Sequence, residues 1–266
     1  MNGAPWQLQL VKRSLKKKEK LQLLVKHLMI KPSDIILDLG CAQGILSYFL
    51  RKKGGLWVSA DLDLVNCKSS LELLKNNIVQ LGTESLPFKD ASFDKVVSLD
   101  YLEHLDDDLG CLKEINRILK KDGELLLATP RTGRVYLLNK LRPFLGMKME
   151  FYGHKREGYS LNNLNKKLDS SGLAPVQHKS FSRFFSEFIE LLLNFLYIKL
   201  YQPKDPIGLR DGHIRPSTSN EFSSRKKAFR MYTYIYPFVW LFTRLDKLFF
   251  FQRGYGLMVW ARKRGY

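Results

Sequence analysis

The sequence predicts an α/β domain built on a doubly wound parallel sheet. Three observations carry that prediction. Between Ile35 and Ala128, short apolar runs alternate five times with stretches of helical periodicity. A glycine-flanked turn, Gly40 to Gly44, joins the first run to a helical pattern. Acids stand at the ends of the first, second and fourth runs: Asp38, Asp61 and Asp100.

The elements follow in order. Pro5 to Ile30 reads as one amphipathic helix, with Leu8, Val11, Leu15, Leu21, Leu24 and Leu28 on one side and Lys12, Lys16, Lys17 and Lys20 on the other. Pro32 ends it. Ile35 to Leu37 is a buried strand, and Ile45, Leu46, Phe49 and Leu50 recur at helical spacing after the turn. Gly54 and Gly55 turn the chain into a second strand, Leu56 to Ala60, and a helix follows from about Val65 to Lys75. Ile78 to Leu81 is a short third strand, and Phe93 to Leu99 a fourth. A helix from Leu109 to Leu119 leads through Asp122 and Gly123 to a fifth strand, Glu124 to Ala128, stopped by Pro130. Ser160 caps a helix reaching to Ser171, with Gly172 just past its end. Ala174 to Ser180 and Gly256 to Arg262 supply a sixth and a seventh strand.

Composition narrows the class. The apolar fraction of 45% is that of a globular protein. The 44 Lys and Arg against 26 Asp and Glu give a net charge of +18, which implies an anionic partner: nucleic acid or an acidic membrane leaflet. Cys41, Cys67 and Cys111 lie far apart without metal-ligand spacing, and no metal is expected. They read as reduced thiols of a cytoplasmic protein, and the N-terminus lacks the pattern of a secretory signal.

The turn has no Lys-Ser/Thr, so it is not a P-loop, and it lacks the three-glycine dinucleotide spacing. The step from Asp38 to Asp61 is 61 − 38 = 23 residues, close to the roughly 20 that separate a glycine-rich turn from a ribose-binding acid. An acid just before the turn suits a ligand that carries positive charge.

DLGCAQG, SADLD, GTESLPFKDASFDKVVSLDYLEHLDD and LKEINRILKKDGELLLATP together resemble the class I S-adenosylmethionine-dependent methyltransferases, in their type 11-like small-molecule and lipid subgroup. The resemblance covers about Lys31 to Pro130 and extends to GHKREGYSLNNLNKKLDSSGL. It implies a Rossmann-like seven-stranded sheet, mostly parallel with the last strand antiparallel, and S-adenosyl-L-methionine as cofactor. Carried over, Asp38 orients the methionine moiety, and Gly40, Cys41, Ala42 and Gly44 let the backbone approach it. Asp61 holds the ribose, Leu62 lies on the adenine, and Thr83 and Glu84 flank it. Gly82 stands where the family usually has an adenine-binding acid. Asp100 faces the methyl group and the acceptor. His104 is either a general base or a packing histidine, and His154 and Arg156 form a lid over the site, a grip on an anionic acceptor, or a capped loop.

Three regions result: a basic helix over residues 1–30, a methyltransferase domain over 31–180 and 254–266, and a hydrophobic helical insertion over 181–253. In Phe181 to Tyr201, Arg183, Ser186, Glu187, Glu190 and Asn194 form one narrow polar stripe among apolar and aromatic faces. Met231 to Thr243 carries no charge and is too short to span a bilayer, and Pro237 interrupts it. The insertion is a buried cap, a monotopic anchor in a membrane interface with Tyr232, Tyr234, Tyr236 and Trp240 at headgroup depth, or a dimer contact. The expectation is a methyltransferase acting on a hydrophobic or lipid-linked small molecule, peripheral on the cytoplasmic face of an anionic membrane. RNA methylation is the alternative, although no compact aromatic-basic platform for nucleic acid is visible. A fold that binds the cofactor without catalysis is a third.

Overall fold

The computed structural model describes residues 5–82, 85–133, 135–147, 149–201, 219–224, 226–248 and 253–265. Thr83 and Glu84 lie outside them, as do residues 202–218 of the insertion.

The described chain runs α1 (Trp6–Val11), α2 (Leu15–His27), β1 (Ile35–Leu39), α3 (Ile45–Arg51), β2 (Leu56–Asp61), α4 (Leu64–Leu74), β3 (Ile78–Gln80), β4 (Phe93–Leu99), α5 (Asp108–Ile118), β5 (Leu119–Pro130), α6 (Leu137–Phe144), α7 (Leu161–Ser170), β6 (Leu173–Phe181), α8 (Phe184–Tyr201), α9 (Ser219–Ser224), α10 (Lys226–Thr243) and β7 (Gly256–Lys263). The sheet order is β3-β2-β1-β4-β5-β7-β6. Strands β1 to β5 pair in parallel. Strand β7 runs antiparallel to both β5 and β6. The order reverses between β1 and β4, so a crevice opens beyond their carboxyl ends.

Both sheet faces are covered, and the period-two alternation of the strands assigns each residue to one of them. Leu37, Val96, Leu125, Leu127 and Val259 pack with Leu112, Ile115 and Leu164 of α5 and α7. Their neighbours Ile36, Val97, Leu126 and Met258 pack on the other face with Leu24, Leu28 and Leu50 of the α2 and α3 side. Local chemistry sets the helix starts. Asp63 accepts from the backbone N–H groups of Val65 and Asn66 at 2.7 and 3.0 Å, and Ser160 accepts from Asn163 at 3.2 Å.

Two sequence expectations are corrected here. The N-terminal helix is two helices, because Ser14 adopts an extended conformation and caps α2 through Lys17 N–H at 3.3 Å. Pro237 does not interrupt α10, which continues through it. The site is solvent-exposed, so water can take up the carbonyl that proline leaves without a donor.

The insertion is fixed to the domain by polar groups. Glu187 of α8, 2% exposed, accepts from Arg142 of α6 at 2.5 Å and from Ser182 Oγ at 2.7 Å, and lies 3.6 Å from Lys16 of α2. Asp246 caps α8 by accepting from the backbone N–H groups of Phe185 and Ser186 at 2.8 and 3.0 Å. Tyr136, Leu138, Met147, Leu191 and Tyr255 form a small separate core between α6 and α8.

Candidate active site

A cleft of about 210 Å³ lies at the carboxyl edge of β1, β2 and β4. It is lined by Asp38, Gly40, Cys41, Ala42, Asp61, Leu62, Asp100 and His104 from the positions singled out in the sequence. Gly44 is not among them. It starts α3 at φ +73°, and a Cβ there would come within 3.0 Å of Leu74 Cδ1 and Ser70 Oγ, so its role is to let α3 pack on α4. Gly40 has φ +80°, and a Cβ there would fall 2.5 Å from the ring of Tyr101. Its smallness therefore serves the contact between the β1 turn and the segment after β4.

Asp61 holds the turn together. One carboxylate oxygen accepts from Ala42 N–H at 2.8 Å, and Ala42 has a left-handed φ of +47°. The other accepts from Asp63 N–H at 3.0 Å and Asn66 Nδ2 at 3.1 Å. A carboxylate offers about four lone-pair sites, so about one remains for a ligand in this arrangement. A simultaneous grip on two ribose hydroxyls, as the sequence suggested, requires one of these donors to release. Burial raises the Asp61 pKa against these hydrogen bonds.

Asp38 is buried and accepts a hydrogen bond from Ser47 Oγ. Burial outweighs that bond and pushes its pKa up to about 6. A cationic group brought against this carboxyl would restore its charged form. Burial and the Asp38 charge raise the Cys41 thiol well above its usual range, so Cys41 is a neutral wall residue.

Asp100 is also left-handed, at φ +52°, in the tight departure from β4. Its carboxylate is paired with Lys20 of α2. Burial opposes its charge, but Lys20 and Lys16 hold it below the usual carboxylate range. His104 follows in a short 3₁₀ turn, Leu102–His104, with Nδ1 2.8 Å from the carbonyl of Gly153. Burial lowers its pKa, which keeps the imidazole neutral and able to accept a proton. Its ring centroid lies 4.7 Å from that of His154. Arg156 faces away from the cleft: it bonds Asp108 at 2.6 Å, Tyr159 Oη at 2.9 Å and two backbone carbonyls, and so clamps the loop to α5.

Sequence reasoning missed Lys17, Lys20, Gln43, Asn66 and Tyr101, all of which line the cleft. Lys17 and Lys20 share one face of α2, three residues apart, and the basic spacing was visible. That this face turns toward the site was not.

Residues 37–127 match the family described as a methyltransferase domain. Over 109 residues the chain is 32% identical to an uncharacterised protein of Methanocaldococcus jannaschii, covering 41% of this chain and 46% of that protein. Over 118 residues it is 30% identical to a ubiquinone biosynthesis O-methyltransferase of Haemophilus ducreyi, covering 39% and 48%. The matched region thus spans under half the length of these relatives. The fold is similar to that of phosphoethanolamine N-methyltransferase 2 of Haemonchus contortus in complex with S-adenosyl-L-methionine, with a TM-score of 0.57, 16% identity, and coverage of 93% of this chain and 52% of that one. The chain therefore carries a class I S-adenosylmethionine-dependent methyltransferase domain, in a seven-stranded Rossmann-like fold.

Proposed function

We propose that the protein transfers a methyl group from S-adenosylmethionine to a hydrophobic or lipid-linked small molecule at an anionic membrane surface. The cleft suits that cofactor: a buried acid whose ionisation needs a cation (Asp38), a second acid at the β2 end (Asp61), and an apolar wall beside it (Leu62). Asp38 would hold the cationic methionine end, the Gly40–Ala42 turn would lie along it, and Asp61 would take the ribose. The cofactor supplies, when bound, a methyl carbon activated by a sulfonium. The chain's own task is to exclude water and to align an acceptor, which is worth several kcal/mol of barrier. Neutral His104 stands in the cleft wall as the group able to take the acceptor's proton.

The membrane reading rests on the orientation of α8. Glu187 of its polar stripe is buried against Arg142 and Lys16, beside the buried Leu191. Its apolar residues Phe188, Leu192 and Leu196 face solvent at four-residue spacing. Helix α10 continues this surface through Met231, Ile235, Phe238 and Leu241, and Phe242 packs edge-to-face on Phe185 with centroids 5.1 Å apart. An apolar face of this extent, with a basic chain behind it, fits insertion among lipid headgroups. No described helix is long and apolar enough to cross a membrane. The aromatic belt expected from the sequence is smaller than anticipated. Tyr236 is buried and accepts from Lys18 Nζ at 2.9 Å, and Tyr232 donates to Arg13 O at 3.4 Å, so both dock on the N-terminal helices. Tyr234 and Trp240 stay exposed.

The test is incubation of the protein with membrane lipid extract and with RNA, each with deuterium-labelled S-adenosylmethionine, followed by mass spectrometry. Labelled lipid-soluble product is expected. Label in RNA alone would reject the membrane-lipid reading.

A further inference from the structure

Glu103 presents an anomaly. It is fully buried, and both its carboxyl oxygens lack any hydrogen-bond partner. A buried carboxyl in that condition is completed by a proton or by a cation. The side chains around it favour a cation. One donor atom each from Glu103, His104 and His154 lies within 4.8 Å of the other two. Metal–ligand bonds of about 2.0–2.2 Å place donors roughly 3–3.6 Å apart, so closure on an ion needs side-chain movements of about an ångström.

The group that orients one of these ligands is already in place. His104 Nδ1 lies 2.8 Å from Gly153 O, the carbonyl immediately before His154. That contact directs the Nδ1–H outward, fixes the tautomer and leaves Nε2 with a free lone pair, as metal-bound histidines require. It also ties the turn that carries His154, where Gly153 has φ +64°, to the segment that carries His104. Three cations stand nearby, but Lys16 and Arg142 are spent on Glu187 and Lys20 on Asp100.

We propose that Glu103, His104 and His154 bind a divalent transition-metal ion beside the cleft. Two imidazoles and one carboxylate select zinc or a similar borderline ion over magnesium or calcium, which prefer oxygen cages. The sequence concealed the site, since His154 lies 50 residues beyond His104 and neither spacing resembles a metal motif. Because His104 lines the cleft, the ion would act as a Lewis acid on an acceptor hydroxyl. With Nε2 on the ion, His104 no longer serves as the base, so the hydroxyl sheds its proton to solvent, and its oxygen forms the new O–C bond as the donor's C–S bond breaks. That use of the ion rests on the methyltransferase reading; the binding itself does not.

The experiment is a titration of chelator-stripped full-length protein with Co²⁺, read by visible absorption, with S-adenosylmethionine binding measured in parallel by calorimetry. One equivalent of Co²⁺ is expected, with ligand-field bands and no thiolate charge-transfer band. Glu103→Gln and His154→Gln, each checked by thermal melting, are each expected to weaken Co²⁺ binding by about 100-fold. Equal Co²⁺ affinity in wild type and both variants, or a thiolate band pointing to the cysteines, overturns the site. Absence of S-adenosylmethionine binding with Co²⁺ binding intact would instead overturn the cofactor reading and leave the metal site standing.

Discussion

Glu187 of α8 and Arg142 of α6 form a charge-assisted hydrogen bond of 2.5 Å, with the carboxylate 2% exposed. This pair holds Glu187 inward, with Phe188, Leu192 and Leu196 of the same helix left exposed. Burial disfavours the Glu187 charge, but Lys16 and Arg142 more than offset that and hold its pKa low. Glu187→Gln should destabilise the protein by about 2–3 kcal/mol, since hydrogen bonds to charged groups contribute about that much and the partly exposed cations recover some solvation. Urea denaturation measures the loss. A change within 0.5 kcal/mol on this scale of surface substitutions would mean the pair does not fix the cap.

Phe238→Glu and Leu241→Glu should each weaken binding to anionic vesicles by about tenfold or more, because burying such a side chain is worth roughly 1.5–3 kcal/mol. Both side chains are largely exposed, at 73% and 63%, so thermal stability should stay unchanged. Co-sedimentation with vesicles decides it, and undiminished pelleting of the double variant would remove this face from the membrane contact.

Asp61→Ala should abolish measurable cofactor binding. It removes the β2 acid and also releases Ala42 N–H, which that carboxylate holds at 2.8 Å in a left-handed turn. Asp61→Asn should retain part of the turn but not the affinity. Calorimetric affinities equal to wild type would refute the placement of the cofactor here.

Asp38 gives two pH dependences of opposite sign. Its native pKa is raised to about 6 from an ordinary 3.8. Between those values the native state binds more protons than the unfolded chain, so Asp38's contribution to stability falls as pH rises through that window. Asp38→Asn should flatten this slope. Cofactor affinity should move the other way, rising as pH passes about 6, because only the ionised carboxylate attracts the cationic methionine end. An affinity independent of pH between 5 and 7.5 in the wild type, about the range bracketing this titration, would separate Asp38 from the cofactor.

Gly40→Ala should cost about 2–4 kcal/mol, combining a left-handed backbone with a methyl group driven into Tyr101. The contact distance of 2.5 Å leaves no room without moving the ring. Guanidinium denaturation would show it, and a shift below 1 kcal/mol would mean the ring relocates freely.

The sequence by itself determined the sheet, because each strand's burial is written locally. Alternation at β4 and β5 sends Val96 and Leu125 to one face and Val97 and Leu126 to the other. It also determined which residues end β1, β2 and β4, since in a parallel sheet those ends share one edge and Asp38, Asp61 and Asp100 meet there. Only the tertiary structure decided what closes that edge. Ser14 breaks the N-terminal helix, and α2 then lays Lys17 and Lys20 into the cleft. Helical periodicity names a polar face but not its direction, and α8 buries Glu187 of that face beside the apolar Leu191 while Phe188, Leu192 and Leu196 stay exposed. The meeting of Glu103 and His104 with His154 likewise depends on how one loop returns over another. Contacts between residues far apart in the chain are fixed by packing, and no local pattern records them.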